Sequence, residues 1–155
     1  MDKKKIMAIA IQLAKENVKN GGGPFGAVVA KNGEIIATGV NRVTLSHDPT
    51  AHAEISAIRE ACKKLDTFFL EGCEIYSSCE PCPMCLGAIY WAHLDSLYYA
   101  CTKVDAADAG FDDDFIYKEL SLDKENRRLH TAELMRDDAL SIFECWQEKS
   151  DKVEY

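Results

Sequence analysis

The 155-residue sequence has no long hydrophobic run. Its longest uncharged apolar stretch spans 81–93 and holds two cysteines and a histidine. That falls well short of the roughly twenty apolar residues a membrane-spanning helix needs, so no membrane partner is expected. The opening residues, Met1-Asp2-Lys3-Lys4-Lys5, lack the apolar core and cleavage site of a secretory signal, and a cytoplasmic location is expected. Basic patches are scarce too: beyond Lys3-Lys4-Lys5 there are only the pairs Lys63-Lys64 and Arg127-Arg128. The net charge is −8, and the stretch 112–155, with 13 acidic and 7 basic residues, carries −6 of it. Such a surface repels phosphate backbones, which disfavours nucleic acid as a partner and favours a small molecule. A disulfide framework is also missing, because seven cysteines cannot all pair. Cys79, Cys82 and Cys85 cluster, and in a reducing compartment such clusters serve as ligands more often than as bridges. Cys62, Cys73, Cys101 and Cys145 lie in apolar or amphipathic stretches and read as small buried hydrophobes.

No repeat, low-complexity tract or linker divides the chain, so one domain over 1–155 is expected. Met7, Ile11, Ala14 and Val18, with Ile6, Ala10 and Leu13 alongside, have helical spacing over 2–18, and Gly21-Gly22-Gly23-Pro24 ends that helix. Asn32-Gly33 lies between the apolar runs 27–30 and 34–37 and predicts a hairpin. A polar loop over 42–50 leads to a helix over 51–64. A strand over 73–76, a buried helix over 84–93 and a strand over 96–100 follow. The stretch 105–119 reads as partly helical, 129–134 as a last strand, and 138–149 as an amphipathic helix. This order predicts an α/β domain with a mixed sheet covered by helices on both faces.

His52-Ala53-Glu54 opens one predicted helix, and Pro81-Cys82-Pro83-Met84-Cys85 opens another thirty residues after His52. One imidazole and two thiolates leave the fourth tetrahedral position of a zinc ion open, which suits a catalytic site better than a structural one. Two cysteines three apart on a first helical turn face the same way, and the positive end of the helix dipole favours their thiolates. Glu54 is too close to His52 to be a second ligand. It is placed to take a proton from the metal's water and deliver it to a departing amine. Each piece alone has an ordinary structural explanation: a cap, a redox or structural Cys pair, a dipole-facing acid. The ordered combination His-x-Glu and Pro-Cys-x-x-Cys is the zinc-deaminase pattern.

With Gly22-Gly23-Pro24-Phe25-Gly26-Ala27 and Cys79-Glu80-Pro81-Cys82-Pro83-Met84-Cys85, these segments resemble the cytidine-deaminase-like superfamily. Its nearest subgroup is that of the cytosine, guanine and tRNA-adenosine deaminases. The stretches 48–54, 84–92 and 105–119 and the terminal Glu154-Tyr155 are similar to bacterial guanine deaminases, while 124–151 matches only loosely. The resemblance implies a three-layer α/β/α sandwich with a five-stranded mixed sheet and one zinc per chain held by His52, Cys82 and Cys85. It further implies hydrolysis of guanine to xanthine and ammonia, in purine catabolism or salvage, with Glu54 as acid–base. By correspondence with the family, Asn41 and Asp113 hold the purine base, against the plainer readings of a turn cap and a solvated acid, the register among Asp112-Asp113-Asp114 staying open; of the aromatic residues, Phe25 is the first choice to stack on the base. The family also implies a homodimer whose C-terminal segment is exchanged, so that Tyr155 covers the neighbour's pocket. Trp91 reads as core or subunit interface. Cytosine, guanosine or tRNA adenosine as substrate, and a non-catalytic structural zinc module, remain open at this point.

Overall fold

A hairpin organises the first half of the chain. In the computed structural model, which describes residues 1–155, Asn32 and Gly33 both adopt positive φ, 51° and 76°. A two-residue turn matched to strand twist requires that conformation. The turn joins β1 (Gly26–Lys31) to β2 (Glu34–Val40) in antiparallel pairing. β3 (Cys73–Cys79) adds antiparallel to the other side of β1, and β4 (Ser96–Cys101) pairs parallel to β3. The mixed sheet therefore has four strands in the order β2-β1-β3-β4. The fifth strand, expected over 129–134, does not form. Its sequence, Leu-His-Thr-Ala-Glu-Leu, has weak β propensity, a strand exists only through a neighbour's hydrogen bonds, and its two leucines are exposed.

Both faces of the sheet are covered, as the continuous apolar run of β1 demands. Ala27 and Val29, with Ile75 of β3, pack under Ala53, Ala57, Ile58 and Ala61 of α3 (Ala53–Leu65) and Ile89 of α4 (Pro83–Trp91). On the opposite face Val28, Ala30 and Tyr76 meet Ile6 and Ala10 of α1 (Lys3–Lys19). Asp2 caps α1 by accepting from the Lys5 amide at 2.9 Å. The buried stripe of α1 is Ile6, Ala10, Ala14 and Asn17 rather than the Met7–Val18 row, because the small alanines admit the closest approach to β1. Ile11 and Val18 instead border a second, mainly apolar cavity of roughly 310 Å³. Gly39 in β2 lets strand and helix touch: a Cβ there would lie 2.2 Å from the Ala53 carbonyl and 2.5 Å from the Ala57 nitrogen. That contact seats the first turn of α3 directly on β2.

A one-turn helix, α2 (Val43–Ser46), occupies the stretch expected as loop. The stretch read as partly helical becomes α5 (Lys103–Asp108) and α6 (Asp114–Ser121), and Thr102 and Asp105 cap α5 reciprocally. The chain divides into two compact units, Met1–Asp114 and Phe115–Tyr155. Within the second lie most of α6, a single 3-10 turn at Lys124–Asn126, and α7 (Arg136–Glu148). Leu140, Ile142, Phe143 and Trp146 of α7 are exposed. Cys73 is buried and Cys62 half-buried, but Cys101 and Cys145 are exposed, contrary to expectation: Cys101 is the last residue of β4, an edge strand, and Cys145 lies on α7, all of whose residues are exposed. No helix is long and apolar enough to cross a membrane.

Candidate metal centre

α3 and α4 each begin on a residue that brings a donor atom to one point. His52 and Cys82 are the N-cap residues, with extended backbones (φ −70°, ψ 160° and φ −67°, ψ 168°), one step earlier than the first-turn placement expected for them. Pro83 follows at the first helical position, where its fixed φ and missing N–H cost nothing. Cys85 completes the turn and is fully buried. Nδ1 of His52 lies 3.5 Å from Sγ of Cys82 and 3.5 Å from Sγ of Cys85, and all three donor atoms fall within 4.8 Å of one another. A tetrahedral zinc, with Zn–S of about 2.3 Å and Zn–N of about 2.0–2.1 Å, sets nitrogen and sulfur about 3.6 Å apart. The donor set fits that ion and leaves a fourth position.

Electrostatics agree with the geometry. The Cys85 thiol hydrogen and His52 hold the Cys82 thiol down at about 4, while the Cys82 thiolate and burial push Cys85 up. The hydrogen bond to Cys82 raises the His52 imidazole. Protons shared so unequally among three close donors are what a divalent cation displaces on binding. Glu54, on the first turn of α3, is 5% exposed. Its Oε2 lies 3.5 Å from Cys85 Sγ, and its Oε1 accepts from Ser77 Oγ at 3.0 Å. Burial, before any other cause, raises its carboxyl above the ordinary range. A carboxylate next to three ligands, and not one of them, can carry protons for chemistry at the fourth position.

A cavity of roughly 530 Å³ opens onto the cluster, within the usual range for small-molecule sites. His52, Glu54, Cys82, Asn41, Asp113 and Phe25 all line it. Asn41 is buried, and its Oδ1 accepts from the Val43 amide at 3.2 Å, which assigns the remaining amide group, Nδ2, as its donor. Asn17 Nδ2 ties the backbone beneath by donating to the carbonyls of Asn41 (2.7 Å) and Gly23 (2.8 Å). Gly23 makes room for the Asn41 side chain, since a Cβ there would lie 2.8 Å from Oδ1. Among the three aspartates, Asp112 Oδ1 accepts from the Asp114 amide and Asp114 pairs with Lys103. Asp113 holds Oδ1 buried without a partner, and burial raises its carboxyl. Phe25 meets Phe111 edge-on, ring centroids 5.0 Å apart. Tyr155, in the second unit, is exposed.

Sequence reasoning passed over Ser77, Asn17 and Phe111. Ser77 and Asn17 had a legible signal: each is a polar residue continuing an apolar row, Cys73-Ile75 on β3 and Ile6-Ala10-Ala14 on α1. Phe111 had none beyond its aromatic character.

Residues 1–101 match the family described as the cytidine and deoxycytidylate deaminase zinc-binding region. The guanine deaminase of Bacillus subtilis (strain 168) is 54% identical over 147 residues, 94% of each chain. A crystal structure of guanine deaminase from Bacillus subtilis superposes with a TM-score of 0.97 at 51% identity, covering 100% of this chain and 99% of that one. The tRNA-specific adenosine deaminase of Aquifex aeolicus is 42% identical over 100 residues, 64% of this chain and 66% of its own.

Proposed function

The chain belongs to the cytidine and deoxycytidylate deaminase zinc-binding family, and from that premise we infer that it is a zinc-dependent aminohydrolase converting guanine and water to xanthine and ammonia. One observation carries the reading. A buried carboxylate that is not a ligand touches a three-donor cluster of zinc dimensions, in a cavity that also presents an amide and an unpartnered carboxylate oxygen. His52, Cys82 and Cys85 hold the ion. When bound, zinc is a Lewis acid that makes water nucleophilic near neutral pH.

The chain's own groups do the rest. Asn41 Nδ2 donates to an acceptor on the purine edge, and Asp113 Oδ1 accepts from the exocyclic 2-amino group. Phe25 offers a ring to the base. Glu54 takes the water proton as oxygen adds to C2 and passes it to a ring nitrogen. It then carries the second proton to the amino group, so that the C2–N bond breaks and ammonia leaves. Burial keeps the Glu54 carboxyl protonated more readily than in water, as a group that gives as well as takes protons requires.

The likeness to tRNA-specific adenosine deaminases supports a second reading, but it is weaker, 42% identity over 64% of this chain or 32% over 88% against 54% over 94%, and a net charge of −8 opposes binding of a polyanion. A purely structural zinc module has no use for a buried Glu54. The enzyme is read as one deaminase domain over 1–155, acting in the cytoplasm in purine catabolism or salvage. It is further read as a homodimer in which the C-terminal segment is exchanged and Tyr155 covers the neighbour's cavity. The exposed apolar face of α7 supports that assembly. Ammonia release from guanine, guanosine, cytosine and adenine, measured in parallel, tests the assignment. Guanine is expected to be turned over fastest, and faster release from cytosine would replace the substrate while leaving the class of reaction.

A further inference from the structure

Ser77 stands where an apolar residue is expected. Successive side chains of β3 point to opposite faces of the sheet, and Cys73 and Ile75 belong to the cluster beneath α3. Ser77 follows them on that face and is 1% exposed. Its neighbour Ser78 takes the other face, where Oγ accepts from the Gly26 amide at 3.0 Å and so serves the backbone. A buried hydroxyl costs free energy unless it is hydrogen-bonded, and the bond of Ser77 runs to Glu54, donating to Oε1 at 3.0 Å.

The two oxygens of Glu54 are therefore not equivalent. Oε1 is held by Ser77, whereas Oε2 lies beside Cys85 Sγ at 3.5 Å, facing the metal donors. A ligating cysteine is a thiolate and has no hydrogen to donate. Once Cys85 is a ligand, Ser77 is the side-chain donor that remains on the carboxylate, beside the residue's own backbone amide. The last torsion of a glutamate is broad and soft, so an unanchored carboxylate swings. We propose that Ser77 is a positioning residue for proton transfer: by occupying Oε1 it fixes the plane of the Glu54 carboxylate and leaves Oε2 as the oxygen that carries the proton. It does not line the cavity. Its effect falls on the geometry of the transition state rather than on binding of the base.

The proposal rests on the acid–base reading of Glu54, so the test runs Ser77→Ala and Ser77→Thr beside Glu54→Gln. Zinc content, guanine kinetics and a crystal structure are obtained for each. Ser77→Ala is expected to keep one zinc per chain and to lose about 10- to 100-fold in kcat, the worth of one hydrogen bond to a charged group, with KM within about twofold. Ser77→Thr, which restores the hydroxyl, recovers most of the loss. In the Ser77→Ala crystal the Glu54 carboxylate is rotated or occupies two orientations. Wild-type kcat in Ser77→Ala overturns the proposal, as does a loss that comes with zinc depletion or falls on KM. A folded, zinc-loaded Ser77→Thr no better than Ser77→Ala overturns it as well. If Glu54→Gln itself stays active, the acid–base reading has failed. If Glu54→Gln is inactive while Ser77→Ala is normal, only the positioning role has failed.

Discussion

The two units of the chain treat their apolar residues in opposite ways. In Met1–Asp114 each face of the sheet has its own helices, and Val28, Val29, Ile75 and Tyr76 are almost wholly buried. In Phe115–Tyr155 the amphipathic helix α7 leaves Leu140, Ile142, Phe143 and Trp146 exposed, and Leu129 and Leu134 are more exposed still. Apolar surface left in water forgoes about 25 cal/mol per Å², and contiguous patches of it mark surfaces meant to be covered. The first unit closes its own core and contains every proposed site residue except Tyr155. The contrast separates what the zinc chemistry needs, which one chain supplies, from what closes the cavity, which the proposed dimer supplies.

The sharpest way to break this separation is to remove the metal. Chelation, or His52→Ala, is expected to abolish guanine turnover while far-ultraviolet circular dichroism stays close to wild type, because neither core cluster uses the metal donors. Collapse of the fold on chelation would mean that zinc, and not the sheet, holds the first unit together. Next come the two kinds of apolar residue. Ile75→Ala should cost about 2–4 kcal/mol in a denaturation experiment, as for any fully buried aliphatic side chain. Phe143→Ala should instead make activity and melting temperature depend on protein concentration. Equal, concentration-independent losses would erase the contrast.

Smaller effects follow. Deleting 152–155 should lower guanine turnover by about tenfold through loss of closure, leaving zinc and fold in place. A fully active truncation ends the exchanged-tail idea. Asn41→Ala should lower kcat/KM for guanine by about tenfold through the lost hydrogen bond, with part of the loss from loosening α2, whose first turn Oδ1 caps. Unchanged kinetics would confine Asn41 to that capping role.

The same contrast explains what could be read in advance. Where the pattern closes within the chain, the sequence sufficed: Asn32-Gly33 predicted the hairpin, and the order of helices and strands predicted a sheet covered on both faces. His52, Cys82 and Cys85 converge as their spacing suggested, because each sits at a helix start whose place is set by local punctuation. The expected strand at Leu129–Leu134 fails because a short stretch of weak β propensity becomes a strand only if a neighbour exists to pair with it. Asp113 is ambiguous among three identical neighbours, and its unpartnered buried Oδ1, beside the engaged Asp112 and Asp114, is what sets it apart. Ser77 is recognisable once β3 has a known register, since its partner lies twenty-three residues away on α3.

The central claim is that a carboxylate beside a three-ligand zinc centre moves the protons of the deamination. Glu54→Gln tests it directly, because it keeps the shape and hydrogen bonding of the side chain but cannot take up a proton. Zinc counted per chain and guanine turnover are measured on the same preparation. The account predicts unchanged zinc with kcat lowered by about 10²–10⁴-fold. Near wild-type turnover in the zinc-loaded variant would contradict it.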